Sequence, residues 1–87
     1  MLNEKSRKDL VVRLNRIRGQ VDGIGKMVEE GRYCVDILNQ IAAVRAAFSG
    51  VGRFILEEHL RTCVVSSIKR GGGKHEIKEL MDVFQKF

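Results

Sequence analysis

Between Tyr33 and Lys69 apolar side chains recur three or four residues apart, at Val35, Leu38, Ile41, Ala42, Val44, Ala46, Phe48, Val51, Phe54, Ile55, Leu60 and Val64, and no proline interrupts them. That period predicts one long helix, extending about 55 Å at about 1.5 Å per residue. Such a rod cannot bury its own apolar stripe. The whole chain has only 87 residues, enough for one domain, residues 1–87, but too few for a large core without assembly.

The rod carries both cysteines and one of the two histidines. His59 and Cys63 stand four apart, hence one turn apart on one face. Cys34 points within roughly 20° of the same direction but lies about 37 Å back along the axis. One chain cannot gather the three, whereas two rods paired antiparallel bring Cys34 of one copy to His59 and Cys63 of the other. The twofold axis then falls near Ala47 and Phe48, where Ala42, Ala43, Ala46, Ser49, Gly50 and Gly52 are small enough for a close crossing. A hairpin turning at Gly50–Gly52 fits worse, with arms of about 24 Å and about 10 to 17 Å. Two thiolates and an imidazole form a soft set suited to Cu(I); zinc, which normally takes a fourth ligand, is the chemical alternative.

The formal net charge is +5, and it gathers near the start, where Lys5, Arg7, Lys8, Arg13, Arg16 and Arg18 face only Glu4 and Asp9. Basic excess on one element points to a polyanion, with nucleic acid the commonest soluble one; a solvated helix face is the plainer reading. The first helix is expected from Asn3 or Glu4 to Glu30, capped by Asn3 and stopped at Gly31. Leu10, Leu14, Ile17, Val21, Ile24 and Val28 form its seam, and Lys5, Arg13, Arg16 and Gln20 a flank suited to phosphate. Gly19, Gly23 and Gly25 suggest close approach to the rod, or a kink. The short turn Gly31–Arg32 folds this helix back on the rod. It places Cys34 in a first helical turn, where the helix dipole and Arg32 favour a thiolate.

Gly71–Gly73 breaks the rod. A last short helix follows from Lys74, with Ile77, Leu80, Met81, Phe84 and Phe87 on one face, while His75 is expected in solvent. There is no run of about 18 apolar residues and no signal-like start, so a soluble cytoplasmic protein with reduced thiols is expected. A Cys–His nucleophile pair is disfavoured, because His59 and Cys63 are neighbours on one helix and no orienting carboxylate or oxyanion hole is evident. The chain reads as all-α and not an enzyme.

The segments RIRGQVDGI (Arg16 to Ile24) and QIAAVRAA (Gln40 to Ala47), with a cysteine before the second and H-x-x-x-C after it, strongly resemble the CsoR/RcnR family of bacterial metal-sensing repressors, in its copper-sensing branch. The resemblance covers essentially the whole chain. It implies three helices per protomer, an antiparallel dimer forming a four-helix bundle, and a dimer of dimers, the homotetramer that binds operator DNA until metal releases it. It implies a trigonal Cu(I) site of Cys34 from one protomer with His59 and Cys63 from its partner, with Tyr33 and Glu79 around His59. For DNA it points to Arg13, Arg16, Arg18, Arg45 and Arg53; Gly50 stands where some members carry a basic residue. Nickel and cobalt sensors in the family often add an N-terminal histidine, persulfide sensors lack the intervening histidine, and formaldehyde-responsive members lack the second cysteine. Each comparison favours Cu(I) here. The alternatives are zinc, nickel or thiol/persulfide sensing through Cys34 and Cys63, or a helical interaction module without metal.

Overall fold

The structure, a computed structural model, describes residues 2–86, and those residues form helices and turns with no strand. Helix α1 spans Glu4–Glu29. Asn3 caps it, its side-chain oxygen accepting from the Ser6 amide at 2.8 Å, which satisfies one of the amides left open at a helix start. At the other end Arg32 N–H donates to the Met27 carbonyl and Gly31 N–H to that of Val28, a Schellman closure in which Gly31 takes φ +66°. The chain thereby reverses, and helix α2, Cys34–His59, lies along α1.

The rod continues past His59. A five-residue π-turn, Leu60–Val64, and a last α-helical stretch, Val65–Lys69, complete an unbroken helical span of 36 residues. The glycines at 50 and 52 do not interrupt it, so the hairpin alternative is excluded. The π-turn was not anticipated, because hydrophobic spacing reports which face is apolar but not a single surplus residue. A second Schellman closure ends the rod, with Gly72 N–H donating to Ser67 and Gly71 N–H to Ile68. The C-terminal helix, Lys74–Phe84, then folds back against the π-turn, where Val64 is the most deeply buried side chain. Phe87, expected on the apolar face of that helix, lies outside the described residues.

The buried core is small. Leu10 and Ile17 of α1 meet Val51 of α2, flanked by Leu2, Val44 and Phe54. The expected α1 seam therefore divides: Leu10 and Ile17 are used within the chain, whereas Leu14, Val21 and Val28 stay exposed. On α2, Ile41, Phe48 and Ile55, seven apart, are exposed as well. Gly19, Gly23 and Gly25 do not approach the rod: a Cβ on any of them would meet nothing within 4 Å, and α1 runs through them without interruption.

The overall shape is a plank of 57 × 28 × 13 Å, one helix thick. Its radius of gyration, 17.4 Å, compares with about 12 Å for a compact domain of this length. Its accessible surface, 6972 Å², exceeds by about a third the roughly 5,200 Å² of a compact monomer of this mass. The rod is also long enough to cross a membrane, and one stretch of 18 residues within it reaches a mean hydropathy of 1.2. Its apolar residues form a stripe, however, and Asp36, Arg45, Arg53, Glu57 and Glu58 are distributed along the same helix.

At the second closure Gly73 is buried at φ +102°, and a Cβ there would come within 2.6 Å of the Ile68 side chain and 3.4 Å of its backbone. Gly72 has ordinary room, 3.5 Å from the Ser67 carbonyl oxygen. Gly73→Ala should therefore cost at least about 1–2 kcal/mol in chemical denaturation, with Gly72→Ala near neutral by comparison.

Candidate metal centre

Cys34 is the first residue of α2 and is exposed. Tyr33 beside it occupies the N-cap position without a side-chain capping bond, and its ring is exposed. His59 ends the regular part of α2, and Cys63 lies half-buried within the π-turn. Because the rod is continuous, about 37 Å of helix separates Cys34 from His59. Among the described residues no group of three His, Cys, Asp or Glu side chains comes together as a metal site. His59 and Cys63 remain neighbours, with Cys34 and Tyr33 at the far end.

Helical phase nevertheless aligns them. Cys34, Ile41, Phe48, Ile55 and His59 recur along one side of the rod, the side whose apolar members are exposed. The candidate ligands thus stand at the two ends of an uncovered apolar seam. The donors are soft, accessible and free of disulfide linkage, so the residues present fit a thiophilic ion held between two copies.

Between the two ligands at the C-terminal end of the rod, the helix is wound differently. Val65 N–H donates five residues back, to the Leu60 carbonyl, which makes the step from His59 to Cys63 slightly less than a turn instead of slightly more. The Thr62 hydroxyl donates to the Glu58 carbonyl at 2.7 Å and lies 3.6 Å from the Cys63 sulfur. Glu58 is itself held by Arg61 at 3.0 Å. A hydroxyl that competes with the backbone for a carbonyl loosens regular winding, and the β-branched run Thr62, Val64 and Val65 adds crowding. Thr62 was not singled out in the sequence; the signal was its position one residue before a ligand.

A cleft of about 420 Å³ lies between the rod and the C-terminal helix, lined by Gly52, Ile55, Leu56, His59, Glu79, Leu80 and Val83. The imidazole and carboxylate thus line one apolar hollow. Helical periodicity alone does not select Glu79, which is off the apolar stripe of its helix. His75 Nε2 lies 3.8 Å from Glu79 Oε2 on the outer side, largely in solvent as expected. Tyr33 stands at the opposite end of α2 from His59 and cannot reach the imidazole of its own chain.

Arg13, Arg16, Arg18, Arg45 and Arg53 are all exposed, but they do not form one cluster. Arg13 and Arg16 share a flank of α1 with Lys5 by helical phase, while Arg18 turns toward the other side and Arg45 and Arg53 belong to α2. Gln20, expected on the same flank as Arg13, is half-buried, with its Oε1 enclosed and unpaired. The Arg13 guanidinium lies over the Phe54 ring, 5.4 Å from its centroid.

Residues 6–86 match the family model described as metal-sensitive transcriptional repressor. The chain is 54% identical, over 99% of its length and 88% of the relative's, to the copper-sensing transcriptional repressor CsoR of Bacillus subtilis (strain 168). It is also similar to the crystal structure of the copper-sensing repressor CsoR with Cu(I) from Geobacillus thermodenitrificans NG80-2, with a TM-score of 0.94 and 45% identity over 100% of this chain and 91% of that one. The nickel-responsive transcriptional regulator InrS is similar at a TM-score of 0.83 and 37% identity, covering 97% of this chain and 94% of its own. These relatives are named as transcriptional repressors or regulators. The all-helical fold and a family match spanning nearly the whole chain establish that this protein belongs to the metal-sensitive transcriptional repressor family.

Proposed function

We propose that the chain is a Cu(I)-responsive repressor that binds operator DNA without metal, lets go when Cu(I) binds, and so controls genes of copper efflux or homeostasis in the cytoplasm. The observation that carries this reading is the division of a soft donor set between the two ends of one rod, along an uncovered apolar seam. Two rods in antiparallel contact give two equivalent sites, each with Cys34 from one protomer and His59 and Cys63 from the other. Tyr33 of the first protomer and Glu79 of the second then flank the imidazole. The 54% identical relative is named as copper-sensing, and the similar crystal structure contains Cu(I).

Pairing through Leu14 and Val21 on α1 and Ile41, Phe48 and Ile55 on α2 gives a four-helix bundle, and the excess surface of roughly 1,800 Å² per chain is the scale removed by an obligate interface. Val12, exposed on α1, lies off that face and offers an apolar contact for a dimer of dimers. When bound, Cu(I) supplies a soft centre that accepts two thiolates and one imidazole and so ties two protomers together. Within the chain, one ring nitrogen of His59 serves the ligand set and the other is available to Glu79 in the shared cleft. Lys5, Arg13 and Arg16 present cations to phosphate, and Arg18, Arg45 and Arg53 extend the basic surface. Ligand closure and operator binding oppose one another through a coupling that is reciprocal, of about 1 to 3 kcal/mol.

Reduced protein titrated with Cu(I) against a competing chelator, then assayed for operator binding by gel shift, should take up one ion per protomer and lose operator affinity about 5- to 150-fold. A helical interaction module without metal would show neither stoichiometry nor salt-sensitive DNA binding, and tighter, DNA-releasing uptake of nickel or zinc would replace Cu(I) as the signal. Cys34→Ala should lose tight Cu(I) binding, whereas His59→Ala should still bind Cu(I) but release DNA poorly; full release by His59→Ala would remove its role in transmission. Phe48→Glu touches no ligand. It should nonetheless abolish tight Cu(I) uptake together with the dimer in analytical ultracentrifugation, and monomers with intact Cu(I) affinity would contradict a site shared between chains.

A further inference from the structure

We infer that Phe54 is a positioning residue for operator binding: its ring holds the Arg13 guanidinium over its face, so that the N–H groups of that arginine are kept available for a backbone phosphate. This inference rests on the DNA-binding reading above and deepens it. The contact is the single specific interaction Arg13 makes among the described residues, at 5.4 Å from the ring centroid. That separation lies within the range where a cation is attracted to a ring face. Among the described residues no carboxylate or carbonyl bonds to the guanidinium, and attraction to a ring face consumes none of its N–H donors, leaving them for a bidentate phosphate contact.

The ring is itself fixed. Phe54 is half-buried and lies against the Leu10–Ile17–Val51 core, whereas Arg13 is exposed. An exposed arginine ordinarily gives up considerable rotamer freedom when it grips a phosphate; one already resting on a fixed ring gives up less. Phe54 stands on the rod five residues before His59, so the ring that orients this cation is carried by the helix that also bears two of the candidate ligands. The contact thus joins α1 to α2 on the side of the plank away from the pairing seam.

The test uses the full-length apo protein and operator DNA over a range of salt. Phe54→Leu, which keeps an apolar side chain but removes the ring, should weaken operator binding about 2- to 5-fold, and Phe54→Tyr should restore it. Phenylalanine analogues of increasing fluorination at position 54, nearly equal in shape but with a progressively weaker ring quadrupole, should weaken it stepwise. In an Arg13→Ala background the Phe54→Leu change should have no further effect. A flat fluorination series, or an undiminished Phe54→Leu loss in the Arg13→Ala background, would show that Phe54 only packs and would overturn the inference. Arg13→Ala alone should lower affinity and reduce the salt slope by about 1. If it changes neither, Arg13 leaves the set of phosphate contacts and the inference falls with it, whereas an Arg13 effect with a flat ring series removes only Phe54. Thermal melting and Cu(I) stoichiometry of each variant identify any loss that comes from misfolding.

Discussion

Thickness is the physical constraint on which the rest depends. At 13 Å through its shortest dimension the chain is a single layer of helices, and a domain ordinarily needs two layers to enclose apolar surface. What the two long helices bury between themselves is modest: Leu10, Ile17 and Val51, with a few neighbours. The exposed Phe48, Ile41, Ile55, Leu14 and Val21 represent a hydrophobic driving force not yet satisfied within one copy. The proposed ligands stand at the two ends of this unsatisfied surface, and on that proposal the set would become complete only when the surface is covered. Folding, assembly and metal recognition would then be governed by one apolar contact.

The plank also separates two chemistries by helical phase. Soft donors follow the side of α2 that remains uncovered, and Arg13, Lys5 and Arg16 follow the opposite flank of α1. Between them lie the small core and the Arg13–Phe54 contact, only one side chain deep, so a shift of one helix against the other is felt on both sides without a long relay. The π-turn at Leu60–Val64 places a less regular stretch of winding between His59 and Cys63. Because the C-terminal helix rests on it, the position of Glu79 beside His59 depends on how that stretch is wound.

Much of the fold was legible from residue order. The Asn3 cap, the Gly31 reversal, the glycine break at residues 71–73 and the long rod all follow from local backbone chemistry, which acts within a few residues and is therefore written locally. The placement of Cys34 at one end of the rod and of His59 and Cys63 at the other, on one side, was legible from phase and distance alone. The division of the α1 seam was not, because Leu10 and Leu14 carry the same side chain and only tertiary contact decides which one faces its own rod. Nor was the π-turn, which turns on the Thr62 hydroxyl and the demands of packing at Val64. Glu79 was found by family resemblance, since its place in the cleft is set by how the C-terminal helix docks, and helical periodicity carries no record of docking.

The proposed sharing of ligands between copies has a genetic corollary. In a cell expressing one allele without Cys34 and another without His59, neither homodimer would contain a site able both to bind the ion and to transmit it. A mixed dimer would contain one site that lacks both residues and one that is whole. Two individually deaf alleles should therefore restore part of each other's hearing, an interallelic rescue that no sensor with all its ligands on one polypeptide can display.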